Sequence, residues 1–332
     1  MIYHIAATAD WERAKEAGEY RADSLETQGF IHCSGRDQVV RVANALFRGV
    51  SNLTLLRIDP AKLTSPVVYE NTSGGAEPYP HVYGPINLEA VVQVYPFQPG
   101  PEGNFDQYRI VLALSEFDCI ETRRLLLRPY RSSDATRIQK LAGHREVAKT
   151  VSALPHPYED GMAEAWIDVA LDGLVKGRRL HLAVVVKPEF VHETATPEDL
   201  AEVGDDGLFI GSIGLEINHL ANSAEVGYWI GYPYWNRGYA TEAAAALVKY
   251  GFEALGLNRI QACHMEHNPA SGRVLQKIGM TYEGTLRQAT FRFGEYHDLL
   301  MYSILRSEYE ERLRNETSYA VPRSRDEQPE HA

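Results

Sequence analysis

The chain has 332 residues, a formal net charge of −12 and three cysteines. Its length favours two domains, and its balance of 44% hydrophobic and 23% charged residues excludes a disordered or low-complexity chain. The acidic charge argues against nucleic-acid binding, and the scattered cysteines, with no signal peptide and no membrane-spanning run, predict a protein of a reducing, cytoplasmic compartment.

The first segment, residues 1–114, predicts a small mixed α/β domain. Strands are expected at 1–6, 30–33, 53–58 and 90–94, where short apolar runs occur. A helix is expected at 10–17, which Asp10 would cap and Gly18 would end. A second helix is expected around 39–47, where apolar residues recur on one helical face.

A stretch dense in turn residues at 98–104 separates this segment from a second start at 121–128. We therefore predict a second domain over 115–314. Residues 315–332 are polar and without pattern, so they predict a disordered tail.

The second domain alternates strands and helices. Strands are expected at 125–127, 182–186, 208–217, 225–230 and 259–265, with two more between 282 and 304. Helices are expected at 134–142, 163–174, 240–255 and 270–278. The polar insertion 187–206 predicts a mobile loop, which we expect to shape the substrate pocket together with the loop before Glu159.

The most informative stretch is a strand, a turn and a helix over 225–243, with Gly238 in the turn. The first N–H groups of such a helix have no intrahelical partner and, with the helix dipole, form an anion site. Gly238 and the small Ala240 would let the backbone approach a phosphate, and Arg237 could add charge. A second helix opens at Asn268, one strand later. Two helix N-termini beside neighbouring strands can hold one extended ligand.

These features resemble the GCN5-related N-acetyltransferase (GNAT) superfamily, in the branch that holds the ribosomal-protein-alanine N-acetyltransferases. The resemblance covers 121–306 and rests on TRRLLLRP at 122–129, GYWI at 227–230, RGYATEA at 237–243, N-x-x-S at 268–271 and GEYHD at 294–298. It implies a mixed, mostly antiparallel, splayed sheet flanked by helices. It also implies acetyl-CoA as co-substrate and no metal. Trp235 stands where the superfamily motif begins with Gln or Arg.

The resemblance further implies individual roles. The main chain at Trp229 and Ile230 would pair with the pantetheine arm, Asn268 would bond the arm near the thioester, and Ser271 would approach the sulfur as an acid. The amides that would hold the pyrophosphate are those of Asn236, Arg237, Gly238, Tyr239, Ala240 and Thr241. Leu275 stands where another branch has a tyrosine acid, and Thr290 stands where the ribosomal-protein enzymes have a glutamate.

An amine nucleophile with a pKa of about 10 must lose a proton before it attacks. Glu225, which opens the cofactor strand, is the first candidate for the base, although a solvated strand-end carboxylate explains it equally well. Glu266 and His264 are further candidates, and so is His297 oriented by Asp298. An aromatic cluster predicts core packing and a wall for the cofactor arm, with a cation–π cage as the alternative; its members are Tyr228, Trp229, Tyr232, Tyr234 and Trp235.

The first segment resembles domain-of-unknown-function family 952, through Tyr3-His4-Ile5, GFIHCS at 29–34 and PHVYGPINL at 80–88. That family is distantly similar in fold to ADP-ribosyltransferases, which would place His4 against a nicotinamide ribose. Two other readings stay open. His4, His32 and His81 could be packed, hydrogen-bonded side chains, or they could form a metal site with Cys33.

The sequence thus predicts an acetyl-CoA-dependent N-acetyltransferase that acts on a primary amine, either a protein N-terminus or a small amine, by direct attack in a ternary complex. Two alternatives remain: a non-catalytic CoA-binding scaffold, and a bifunctional protein whose first domain binds NAD or a related nucleotide. Neither a nucleic-acid nor a membrane partner is expected. The acceptor and the oligomeric state stay open.

Overall fold

A computed structural model of the chain describes residues 1–72 and 74–320. The chain divides into two compact units, the first comprising Met1–Ala113 and the second beginning at Leu114. This division falls one residue before the boundary expected from the sequence. Most of the predicted tail lies outside the described residues.

The N-terminal unit is built from short strands and helices. Its strands are β1 (Ile2–Ala7), β2 (Glu19–Tyr20), β3 (Ile31–His32), β4 (Leu53–Ile58), β5 (Val67–Glu70), β6 (Tyr79–Val82), β7 (Ile86–Asn87) and β8 (Val91–Phe97). Its helices are α1 (Thr8–Ala17), α2 (Asp23–Gln28), α3 (Arg36–Leu46) and α4 (Gln107–Ser115). The helix expected from Asp10 begins two residues earlier, so Asp10 lies in its first turn and does not cap it.

Three small sheets, in the orders β1-β4-β8, β3-β6-β5 and β2-β7, enclose two cores in this unit. Alternate side chains of β1 point to opposite faces, as the period of a strand requires. Tyr3 packs into one core with Val39 and Phe97, whereas Ile2 packs into the other with Trp11. The predicted mixed α/β class of this domain is confirmed.

The C-terminal unit has a longer sheet. Its strands are β9 (Ile120–Glu121), β10 (Leu125–Arg128), β11 (Arg179–Val186), β12 (Leu208–Asn218), β13 (Ser223–Ile230), β14 (Arg259–Met265), β15 (Thr281–Arg292) and β16 (Glu295–Leu305). Its helices are α5 (Ala135–Ala142), α6 (Arg145–Thr150), α7 (Met162–Val175), α8 (Tyr239–Glu253), α9 (Pro269–Lys277) and α10 (Arg306–Ala320). Helix α10 includes six residues of the segment predicted to be disordered.

The described strands of this sheet lie in the order β15-β16-β14-β13-β12-β11-β10-β9. All neighbours are antiparallel except β13 and β14, which run parallel. That parallel pair is joined only where 223–225 face 259–261, and the two strands separate beyond Glu225. The predicted mixed, mostly antiparallel and splayed sheet is confirmed, and the splay creates the space in which the site lies.

The insertion between β11 and β12 is packed against this unit. Two 3-10 turns, Pro188–Glu193 and Asp199–Glu202, replace the loop expected from its polar sequence. Asp199 is 4% exposed and accepts a hydrogen bond from the buried Arg137 at 3.1 Å, while Arg137 also donates to the Phe209 carbonyl at 2.9 Å. A buried guanidinium needs such partners, so the insertion supplies part of the core.

Candidate functional site

A cavity of about 580 Å³ opens where β13 and β14 separate. It is lined from three sides, by the splayed strands, by the N-terminal ends of α8 and α9, and by residues 150–153. The residues expected to bind the cofactor line this one cavity together with the first candidate base; they are Glu225, Trp229, Ile230, Asn236, Arg237, Gly238, Tyr239, Ala240, Thr241, Asn268 and Ser271. Of the further candidate bases, His264 lines the cavity, whereas Glu266 and His297 do not. Sequence reasoning therefore selected one contiguous site, and the role of each residue stays a prediction.

The turn before α8 has the backbone that an anion site requires. Gly238 caps the helix with φ +80°, and Asn236 also has a positive φ of 61°. No side chain caps the first turn of α8, so the N–H groups at its start are left for a ligand. The dipole of this 15-residue helix adds positive potential at the same place.

Glu242, in the first turn of α8, is turned away from the ligand side. Its carboxylate accepts hydrogen bonds from Thr122 at 2.6 Å and from the Arg124 backbone and Nε at 2.8 Å. Burial alone would raise the pKa of Glu242, but these bonds outweigh it and hold the pKa below its ordinary value. Arg124 in turn lies 4.4 Å over the Tyr239 ring and donates to the Arg237 carbonyl. The charge of Glu242 is thereby paired with that of Arg124, and the contacts of Arg124 fix the Gly238 turn.

Arg237 does not point its guanidinium freely into the cavity. Its Nη1 donates to the carbonyls of Glu193 and Thr194, each at 3.1 Å, and the Thr194 hydroxyl bonds that of Tyr239. The insertion therefore braces the Gly238 turn. The described insertion residues do not line the cavity, whereas the segment ahead of Glu159 does.

Two cations that sequence reasoning missed line the cavity from α9. Arg273 and Lys277 are four residues apart, so they lie on the same face of that helix. Asn268 caps α9 by accepting the Ser271 N–H at 3.2 Å, and its own amide donates to the Thr150 carbonyl at 3.3 Å. The signal in the sequence that could have revealed Arg273 and Lys277 was their spacing, four residues apart and soon after the N-x-x-S motif.

A pair of hydroxyls lies beside the same helix start. The Tyr228 hydroxyl is 2.9 Å from Ser271 Oγ, and burial raises the pKa of Tyr228 to about 12. A neutral tyrosine in this position can donate to the serine and orient its proton. The aromatic cluster that contains Tyr228 does not converge into a cage, because Tyr234 is buried against Arg137 and Tyr232 stacks on His144.

The part of the cavity wall formed by β11 and β12 carries ionisable groups that sequence reasoning also missed. His181 on β11 donates Nε2–H to Glu216 of β12 at 2.9 Å, and this bond lowers the pKa of Glu216. His181, Gly214 and Gly227 are register partners on three adjacent strands. A Cβ on Gly214 would lie 2.3 Å from His181 Nδ1, whereas a Cβ on Gly227 would meet nothing within 4 Å.

Two glycines therefore make room for the His181 ring and leave open space beside it. Glu225 opens onto the same space, with its carboxylate exposed and 3.4 Å from the Gln261 amide. Trp166 of α7 closes the far side, with its ring at 5.0 Å from that of His181. One end of the cavity is thus formed by helix donors and cations, and the other by carboxylates and an imidazole.

Comparison with known proteins identifies the family of the C-terminal unit. Residues 124–281 match the model of the acetyltransferase (GNAT) domain. The N-acetyltransferase p20 of Bacillus licheniformis is 30% identical over 193 residues, which are 58% of this chain and 98% of p20. The chain belongs to the GNAT family of N-acetyltransferases.

Two further relatives match this GNAT chain over shorter stretches. The N-acetyltransferase YoaA of Bacillus subtilis is 42% identical over 98 residues, and the spermidine N(1)-acetyltransferase of Escherichia coli is 31% identical over 105 residues. These alignments cover 29% and 31% of this chain, and 55% and 56% of the relatives. The chain thus spans about half the length of these two proteins.

The N-terminal unit of the GNAT chain matches a second model, that of DUF952, over 5–94. Its His4 is 7% exposed, and both ring nitrogens have partners: Nδ1 donates to the His32 carbonyl at 2.7 Å, and Nε2 accepts from the Tyr20 hydroxyl at 2.9 Å. Burial lowers the pKa of His4 to about 4. These contacts favour a packed histidine over one that binds a nucleotide.

The structure also bears on the metal site, the partner of His297 and the membrane-spanning segment considered from the sequence. His81 pairs with Glu70 and not with His4 or Cys33, so the described residues do not form the four-ligand site considered from the sequence. His297 Nδ1 bonds Glu266 at 3.0 Å, and Asp298 accepts the Gln288 N–H at 2.7 Å, so these contacts do not favour Asp298 as the orienter of His297. Within the described residues, no helix is both long and apolar enough to cross a bilayer.

Proposed function

We propose that the C-terminal unit transfers an acetyl group from acetyl-CoA to a cationic primary amine by direct attack in a ternary complex. The observation that carries this proposal is the division of one cavity into an anion-binding end and an acidic end. Acetyl-CoA is anionic at its phosphates and neutral at its thioester, and an alkyl amine is a cation at neutral pH. The two substrates could therefore enter the two ends without competing.

The anion-binding end fits a diphosphate. The first turn of α8 offers backbone N–H groups around Gly238, and Arg273 and Lys277 add two positive charges from α9. Charge-assisted bonds of this kind are among the stronger ones that proteins make. Beyond Glu225, the edge of β13 that faces away from β12 pairs with none of the described strands, so its main chain can bond an amide-bearing arm.

One predicted contact of that arm needs revision. The Ile230 carbonyl accepts the Trp235 indole N–H at 2.6 Å, so this oxygen already has a partner within the protein. The arm would pair with other main-chain groups of β13, which include the Ile230 N–H. Asn268 would hold the arm from the opposite side, as expected from the sequence.

The acidic end fits the amine. Glu216 and Glu225 can attract its ammonium, and we propose His181 as the group that accepts its proton. Because Nε2–H is donated to Glu216, the lone pair of the neutral ring is on Nδ1, which lies over Gly214 at the cavity wall. An imidazole is ordinarily a stronger base than a carboxylate, which favours His181 over Glu225.

The departing thiolate needs little acid help, because a thiol has a pKa of about 8.5. The Ser271 hydroxyl, oriented by Tyr228, is the hydrogen-bond donor that we propose for its sulfur, and the thiolate takes its proton from solvent. The acceptor could be a polyamine or a protein N-terminus; the spermidine acetyltransferase among the relatives favours testing polyamines first.

A thiol-release assay with acetyl-CoA tests this function. We expect turnover with spermidine or with a peptide that has a free N-terminus, and none when the N-terminus of the same peptide is blocked. Binding of acetyl-CoA without turnover across polyamines, peptides and small amines would instead support a non-catalytic CoA-binding scaffold. Failure to bind acetyl-CoA at all would reject both.

A further inference from the structure

A second group of chemically active side chains lies outside the proposed acyl-transfer machinery. Glu266 and His267 follow directly after β14, and His297 lies on the neighbouring β16. One ligand atom from each of the three comes within 4.8 Å of the others. The chain segments are held in place, since β14 and β16 pair up to Met265 and Leu299 and the Glu266 N–H bonds the Asp298 carbonyl at 3.1 Å.

The separations suit a small metal ion. His297 Nδ1 is 3.0 Å from Glu266 Oε1, and His267 Nδ1 is 3.9 Å from the same oxygen. Zinc bonds of 2.0–2.1 Å in tetrahedral geometry place neighbouring ligands about 3.4 Å apart. The two measured distances lie on either side of that value, so small side-chain rotations would complete the set.

The proton on His267 is also placed correctly. Its Nε2 lies 2.9 Å from the Lys149 carbonyl, and a carbonyl can only accept, so Nε2 carries the hydrogen. The neutral ring then has its lone pair on Nδ1, the atom that faces Glu266. Histidines that bind metals are typically fixed in this way, by donating the other ring N–H to a carbonyl or carboxylate.

We infer that Glu266, His267 and His297 form a binding site for a divalent transition metal of the zinc type. Two imidazoles and a carboxylate are a donor set that suits this class, and three protein ligands leave one coordination position for water. Sequence reasoning did not consider this trio as a metal site, because Glu266-His267 and His297 are separated by 29 intervening residues and match no ligand spacing.

Metal binding would join three parts of the cavity wall. His267 precedes Asn268, the cap of α9, and bonds the carbonyl of Lys149, which precedes Thr150; both Asn268 and Thr150 line the cavity. The ion would thus fix the start of α9 and the end of α6 to β16. To bind the ion through Nδ1, His297 would exchange its hydrogen bond to Glu266 for the metal and carry its proton on Nε2.

Titration of the full chain with Zn²⁺ against a chromophoric chelator, without acetyl-CoA, tests the site. We expect one equivalent to bind, and the affinity to fall at least tenfold in Glu266→Gln, His267→Ala and His297→Ala. His192→Ala is the matched control, since His192 and Glu193 form an exposed pair 3.8 Å apart without a third ligand. That variant should bind zinc as the unaltered chain does.

Thermal unfolding without metal would establish that each variant is folded. If a histidine variant does not fold, the isosteric Glu266→Gln variant still tests the site. Zinc binding that is equally strong in the unaltered chain and in folded Glu266→Gln and His267→Ala would overturn the site. So would the absence of a bound equivalent in the unaltered chain. Neither result bears on acetyl transfer, because the titration contains no acetyl donor.

Discussion

His4 in the N-terminal unit and His181 in the C-terminal unit are both largely buried on strands, yet their surroundings differ. His4 has a partner on each ring nitrogen, and burial lowers its pKa to about 4. His181 has Glu216 on one nitrogen and places the other above Gly214, at the wall of a cavity. Protonation should therefore affect stability at His4 and catalysis at His181.

The comparison teaches that burial and the partners of the ring nitrogens together separate a structural histidine from a chemical one. Protonation of His4 would place a charge in a buried site and would require the Tyr20 hydroxyl to turn from donor to acceptor. A ring oriented by a carboxylate can take a proton, because the carboxylate stabilises the imidazolium that forms. Substitutions can therefore be directed at His4, at the acidic end of the cavity around His181, or at the anion-binding end that would hold acetyl-CoA.

The largest effect is expected at His181. His181→Gln should lower kcat by about a thousandfold, because the amine would lose the group that accepts its proton. Steady-state kinetics with the best amine of the thiol-release panel would measure it. His219→Gln is the control, since His219 bonds the Gly177 carbonyl and does not line the cavity.

Glu225→Gln decides between the two candidate bases. If Glu225 attracts only the ammonium, this variant should raise KM and leave kcat nearly unchanged. A collapse of kcat in Glu225→Gln, with normal kcat in His181→Gln, would transfer the role of base to Glu225.

A smaller effect is expected at His4. Its pKa in the folded state is about 4, below the ordinary 6.5, so the folded state disfavours protonation. The stability it contributes is complete above pH 6.5 and is lost as the pH falls towards 4, by about 3 kcal/mol in all. Amide exchange of β1 and β4, corrected for intrinsic rates, would follow this loss.

His4→Gln should remove that part of the pH dependence, and His192→Gln, an exposed histidine, should keep it. An unchanged acid limb of stability in His4→Gln would show that other groups cause it. Acetyl transfer at neutral pH should be the same in a folded His4→Gln variant as in the unaltered chain.

At the turn before α8, Gly238→Val should weaken acetyl-CoA binding about a hundredfold, because a β-branched residue is strained at φ +80° and the N–H groups would shift. Isothermal titration measures the affinity. Gly161→Val is the matched control, as Gly161 caps α7 with φ +84° and lies outside the cavity lining. Equal losses of affinity in both variants would mean that strain, and not the turn, is responsible.

The smallest effect is expected on α9. Replacing both Arg273 and Lys277 by Gln should weaken acetyl-CoA binding by about tenfold and reduce its salt dependence, because it removes the two charges that we propose to face the phosphates. Lys249→Gln on the exposed side of α8 should have no such effect. An unchanged salt dependence in the double variant would place the phosphates elsewhere.

The sequence by itself determined the local parts of the site. Gly238 after an aromatic strand and before an alanine-rich helix specifies a turn with free N–H groups, and Asn268 three residues before Ser271 specifies a helix cap. Such features depend on neighbours within about four residues, so a linear pattern contains them. The alternation of strands and helices likewise specified most elements of the C-terminal unit.

Only the tertiary structure decided which side chains from distant segments meet. His181 packs over Gly214, its register partner on β12, Glu266 meets His297 across a strand pair, and Arg137 draws the insertion into the core. A shift of one residue in register would turn strand side chains such as His181 and His297 to the opposite face of the sheet. Register is fixed by packing of the whole sheet, which is why spacing along the chain did not reveal these pairs.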